Sequence, residues 1–138
     1  MRPALLLALA AGVAGLGISI YLTVVHFSAA PLVCSASGAV NCEAVITSPY
    51  GVIGGTGIPT SAAGIFWFAV AIGLAAGRLL GGDGRLAWIH LGWAAAGLVV
   101  GLGLVYIEID RLGVICAWCT GAHVCVLVTA LAVLWARE

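Results

Sequence analysis

Along the chain, apolar residues gather into four long runs, separated by one extended polar stretch and two short ones. The first run covers about residues 4–27, with Arg2 on its flank and few polar residues before His26. It reads as a spanning helix, because about 20 apolar residues carry an α-helix across a bilayer. A cleavable signal peptide is the rival reading, with Ala29 and Ala30 small enough for a peptidase, but the run is too long for one. Residues 28–59 then form a loop rich in Gly, Ser and Pro. It holds Cys34, Asn41, Cys42, Glu43, Ser48, Tyr50 and Gly54-Gly55-Thr56-Gly57. Loops this long usually form lids or binding structures, and a short helix is expected near residues 42–46. Pro59 suits the first turn of the second span, residues 60–80, which closes on Arg78 and a glycine turn at 81–85. The third span is expected over residues 86–109. A solvated polar connection with Glu108, Asp110, Arg111 and Gly113 follows, and the fourth span occupies residues 114–136, closed by Arg137 and Glu138. The pattern predicts an all-α membrane protein: a four-transmembrane-helix bundle forming a single domain over residues 1–138, with a long loop between helices 1 and 2.

Composition strengthens this picture. With 64% hydrophobic and only 7% charged residues, the chain has too little polar surface to coat a water-soluble globule, and no length is left for a separate soluble domain. The formal charge is zero, which argues against a nucleic-acid partner. Four of the arginines, Arg2, Arg78, Arg85 and Arg137, fall at one face of the bundle, and Arg111 falls at the other. The positive-inside rule therefore places both termini in the cytoplasm of a multi-pass cell membrane protein. The long loop and the start of the fourth helix face the periplasm or cell exterior, where disulfides persist.

That topology gives the five cysteines their meaning. Cys116-Ala117-Trp118-Cys119 is a C-x-x-C at a helix N-terminus, where i and i+3 side chains share a face and the helix dipole favours a thiolate. Cys34 and Cys42 form a second candidate pair on the same side. Two pairs suggest a relay: a mobile outer pair takes electrons from a soluble protein and passes them by thiol–disulfide exchange to a fixed inner pair. At the membrane boundary, the inner pair needs a lipid-soluble acceptor, for which a quinone is the natural choice. A purely structural Cys34–Cys42 bridge is the simpler alternative.

Taken together, Cys34, Asn41-Cys42-Glu43, Ser48, Tyr50, Gly57-Ile58-Pro59, Gly64 and Cys116-Ala117-Trp118-Cys119 resemble the bacterial branch of the vitamin K epoxide reductase family, over the whole chain. The resemblance implies a bundle enclosing a quinone (menaquinone, ubiquinone or a vitamin K-like ring) near Cys116 and Cys119, capped by the loop. It further implies that Cys119 faces the quinone, Cys116 exchanges with Cys42, and Cys34 engages the partner. In bacteria such proteins reoxidise a thioredoxin-like, DsbA-type oxidase and so drive disulfide formation. No thioredoxin-like domain is fused within these 138 residues, so the partner is expected to be a separate polypeptide. Animal members use an asparagine before the second helix and a tyrosine one turn beyond the C-x-x-C to hold the quinone's oxygens. Thr60 and His123 stand at the matching positions, both able to donate hydrogen bonds. Ser61, Phe66 and Trp118 complete the candidate quinone contacts. Quinone or epoxide reduction by the same thiols is the alternative within this family.

Other residues have simpler readings. His90 is structural or interfacial, Cys125 points away from the C-x-x-C and serves as a small hydrophobe, and Gly97 and Gly101 form a G-x-x-x-G packing motif. Trp67, Trp88, Trp93 and Trp135 fit packing or interfacial roles. Three competing functions are distinguishable. DsbB proteins place their C-x-x-C in the first outer loop. A four-thiolate zinc site would use Cys34, Cys42, Cys116 and Cys119. A tetraspan scaffold would leave the C-x-x-C without a purpose.

Overall fold

The computed structural model describes residues 1–34 and 37–137. Ser35 and Ala36 of the long loop, and Glu138 at the end of the fourth span, lie outside the described residues. Among the described residues, four helices are long and apolar enough to cross a membrane. They are α1 (Arg2–Ser28), α3 (Thr60–Leu79), α4 (Gly84–Tyr106, continuing as a π-helical turn over Ile107–Leu112) and α5 (Ala117–Trp135), with the short α2 (Cys42–Ile46) in the loop. α1 packs against α3 and α5, and α4 against both as well, which closes a ring of four. The molecule is an all-α four-helix membrane bundle.

Small residues let these helices approach closely. Ala8, Ala94, Ala130, Ala132 and Val133 form the central core, with Leu91 and Leu98 packed against it. At Gly15 a Cβ would run into the Phe68 ring, so the bare backbone of α1 receives a phenyl group from α3. Large apolar side chains such as Leu6, Val13, Val24, Val99, Leu102 and Leu131 are exposed. Exposed apolar area of this kind suits lipid rather than water.

The arginine-rich end is tied by a second core, in which Ala4, Leu5 and Ala136 meet Leu79. Arg78 donates to the Ala136 carbonyl at 3.0 Å and lies 3.4 Å from Nδ1 of the fully buried His90. The guanidinium of Arg137 sits 4.0 Å from the centre of the Trp88 ring, a cation–π contact.

At the opposite end the structure departs from the sequence pattern. The expected break after residue 109 does not occur, because α4 runs on through the widened turn to Leu112 and stops at Gly113, whose φ of 65° only glycine adopts without strain. Within that turn Glu108 is buried rather than solvated, and its carboxylate accepts a backbone N–H. Asp110 and Arg111 do lie in solvent, paired at 3.6 Å. The fourth helix begins at Ala117 rather than 114, because the preceding residues are drawn out to pair with the loop. Ile115 N–H donates to the Ala39 carbonyl at 2.7 Å, and Asn41 N–H to the Ile115 carbonyl at 2.9 Å.

Candidate active site

Local capping sets the two cysteine pairs in place. Asn41 is the N-cap of α2, its Oδ1 accepting the Ala44 N–H at 3.0 Å, so Cys42 opens a turn that is fixed from its first residue. The pairing of residues 39–41 with Ile115 then brings Cys42 against the start of α5. Cys42 and Cys116 are both buried in one cluster with Val45, and Cys34, Cys119, Leu112, Val114 and Trp118 pack against it. Cys34 and Cys42 are joined as a disulfide, with Cα atoms 6.2 Å apart, while Cys116 and Cys119 are free thiols. All four sulfurs of the expected relay thus gather at one end of the bundle, opposite the end that collects the arginine-flanked helix termini.

Cys116 is itself the N-cap of α5. Its Sγ accepts the Cys119 N–H at 3.1 Å, the role an oxygen plays at most helix starts. The hydrogen bond from the Cys119 thiol holds the Cys116 thiol below the ordinary cysteine range, against burial, which pushes it the other way.

The loop was expected to be mobile, yet it is anchored on both flanks of the disulfide. Before Cys34, the Val33 N–H donates to the Tyr21 hydroxyl at 3.1 Å, and the Val33 carbonyl accepts the Trp118 indole N–H at 2.8 Å. The Tyr21 and Trp118 rings lie 4.8 Å apart between centres. Trp118 is thereby used as a clamp, and it is not among the residues that line the cavity described next.

Beneath the cysteines a cavity of about 350 Å³ opens into the bundle. Its floor and walls are apolar and aromatic, with Phe66, Trp67, Phe68 and Trp93 prominent, and Cys119 lies on its wall. The two indoles are held by reciprocal bonds: Trp67 donates to the Trp93 carbonyl at 3.2 Å and Trp93 to the Trp67 carbonyl at 3.0 Å. Of the expected contacts, Thr60, Ser61, Phe66 and His123 line this space. Thr60, however, commits its hydroxyl proton to the Tyr50 carbonyl at 2.9 Å, so it has only lone pairs to offer, and Ser61 is bonded to Thr23 at 2.8 Å. His123 differs. Its buried Nδ1 has no hydrogen-bond partner among the described residues.

A flat aromatic ring with polar oxygens fits this space. Aromatic walls supply the stacking surface, one buried nitrogen lacks a partner, and a thiol sits at the edge. A profile of the Vitamin K epoxide reductase family matches residues 6–134. The chain belongs to the vitamin K epoxide reductase family. Among curated proteins no sequence matches it. Family membership makes the chain a membrane-embedded oxidoreductase, and vitamin K epoxide reductase proteins generally use a quinone. Two of the sulfurs that a four-thiolate metal site would use, Cys34 and Cys42, are bonded to each other.

Sequence reasoning missed three residues that shape the site: Glu108, Tyr21 and Trp93. Tyr21 and Trp93 sit in apolar runs with nothing to distinguish them from packing residues. Glu108 did carry a signal, as a lone carboxylate between Ile107 and Ile109. Reading the span as ended moved it into water.

Proposed function

We propose that this protein is a quinone-coupled thiol oxidoreductase that reoxidises a separate thioredoxin-like, DsbA-type partner and thereby drives disulfide formation. The observation that carries the reading is the position of the inner pair: Cys116 is buried against Cys42, and Cys119 is on the wall of an aromatic cavity. Each sulfur has a different neighbour to exchange with.

In this reading the partner's thiolate attacks Cys34, the half-exposed member of the outer disulfide, and releases Cys42 as a thiolate. The partner's second thiol displaces Cys34, leaving the partner oxidised and the outer pair reduced. Cys42 then attacks Cys116 of an oxidised inner pair, freeing Cys119, and Cys34 resolves the Cys42–Cys116 bond. The products are an outer disulfide and an inner dithiol, the redox state seen in the structure. A bound quinone supplies an acceptor for two electrons and two protons. Around it, Trp67, Trp93 and Phe66 would supply aromatic walls, and His123 would present a nitrogen able to bond an oxygen. The arginine count supports this reading, since the positive-inside rule favours cytoplasmic termini and cysteines on the outer side, where the partner's disulfides are needed.

The test uses purified protein, a reduced thioredoxin-like partner and a panel of quinones, with quinone reduction followed optically. Wild type should turn over, and Cys116→Ala and Cys119→Ala should not. Turnover in Cys116→Ala equal to wild type would end the relay. A folded wild type inert toward every quinone would favour a scaffold role.

A further inference from the structure

The relay described above leaves one buried acid without work. Glu108 is 5% exposed, its Oε2 accepts the Cys116 N–H at 3.0 Å, and it shares the cavity wall with Cys119 and His123. Among the described residues no cation pairs with it, since the ion pair of the same turn joins Asp110 to Arg111 on the exposed side. Ionisable side chains kept at membrane depth are costly and commonly mark proton paths. The bonds also form a continuous chain: Glu108 takes the amide of Cys116, and the Cys116 sulfur takes the amide of Cys119.

We propose that Glu108 is the proton acceptor of the inner dithiol, taking a thiol proton as the Cys116–Cys119 bond closes and handing it to a ring oxygen in the cavity. The proposal rests on the quinone reading. Closing that bond releases two electrons and two protons, the number a quinone takes up on becoming a hydroquinone. One proton passes through Glu108, which ends as the carboxylate it began as. The other leaves to water at the outer rim, matched by one drawn from water for the second oxygen. The other titratable groups facing the same space are His26 from α1, Tyr50 from the loop, and Cys119 and His123 from α5; α3 brings none to it. Of these, Cys119 belongs to the dithiol itself, and Glu108 is the group hydrogen-bonded to the backbone of that pair.

Glu108→Gln keeps the size of the side chain and an oxygen for the Cys116 amide, but cannot exchange a proton. Two readouts decide. In quinone-free protein, the infrared difference spectrum between dithiol and disulfide forms should show a carboxyl group changing protonation in wild type and not in Glu108→Gln. In turnover, Glu108→Gln should lower kcat on the order of a hundredfold with KM unchanged and flatten the pH profile, and Glu108→Asp should restore the infrared signal and most of the rate. Equal kcat in wild type and Glu108→Gln, or no carboxyl signal in wild type, would overturn the assignment and leave Glu108 as a structural acceptor. If Glu108→Gln does not assemble, the wild-type and Glu108→Asp spectra decide alone. A carboxyl signal in a wild type that reduces no quinone would uphold proton uptake by Glu108 and reject the quinone.

Discussion

In the proposed relay Cys116 has two jobs that depend on the same sulfur, capping α5 and exchanging with Cys42, and the bonds that serve the first tune the second. Its thiol lies below the ordinary range chiefly because the Cys119 thiol donates to it. With the folded value depressed, the thiolate forms at lower pH than in a free cysteine. In the reduced protein this adds stability that is present above the unfolded pKa and lost as pH falls through the folded one. The rate of Cys116 alkylation should therefore rise with pH and level off below about 8.5, the value of a free thiol. Cys119→Ala removes the donor and should move the plateau upward, whereas Cys119→Ser keeps a donor and should hold it down. Indistinguishable profiles would show that the Cys119 side chain does not set the Cys116 thiol. The C-x-x-C was fully legible at this scale, since a helix start and an i, i+3 spacing suffice to recognise it. The commitment of the Thr60 proton to Tyr50 was not, because the acceptor is a backbone carbonyl ten residues earlier in a loop of irregular path.

The short helix α2 shows what an element of five residues can do when its cap is sound. Its existence near Cys42 was readable from the local sequence, and Asn41 is among the best N-cap residues. Asn41→Ala should cost about 1 kcal/mol in thermal unfolding. It should also slow the Cys42–Cys116 exchange measured by trapping the mixed disulfide, while quinone reduction by a small dithiol reagent that reaches the inner pair directly should change little. Slowing of both reactions alike would mean that α2 supports the cavity rather than the relay. The ends of α4 and α5 were less legible. Polar residues 108, 110 and 111 look like a connection in one dimension, but a π-helical turn inserts an extra residue into the register and turns Glu108 inward while Asp110 and Arg111 stay outside. The extended pairing of Ile115 with Ala39 and Asn41 joins segments more than 70 residues apart, and no local pattern announces it.

For the whole molecule, four apolar runs and a biased set of arginines were enough to anticipate the bundle, since a helix is the natural way for such a run to satisfy its backbone in lipid. The cavity was not foreseeable in shape, because it depends on how glycines and aromatics face one another across helices. Gly97 is the clearest case. A Cβ there would collide with the Trp67 indole, which donates to the Trp93 carbonyl. Gly97→Ala should force that ring aside, destabilise the protein by about 1–3 kcal/mol in thermal unfolding in detergent, and raise KM for quinone. Gly73→Ala, which meets nothing on α3, is the matched control and should be neutral or stabilising by up to about 1 kcal/mol. If both variants behave alike, Trp67 does not shape the pocket.

The two grips on Val33 carry a consequence for how electrons enter. With its amide fastened to α1 through Tyr21 and its carbonyl to α5 through Trp118, the strap leading to Cys34 is moored to the transmembrane scaffold. On the proposed relay, delivery of electrons would then need no arm that swings outward. In the proposed function, a thioredoxin-like partner would bring its own thiol down to this berth, and its shape rather than the reach of this chain would set the pace of arrival.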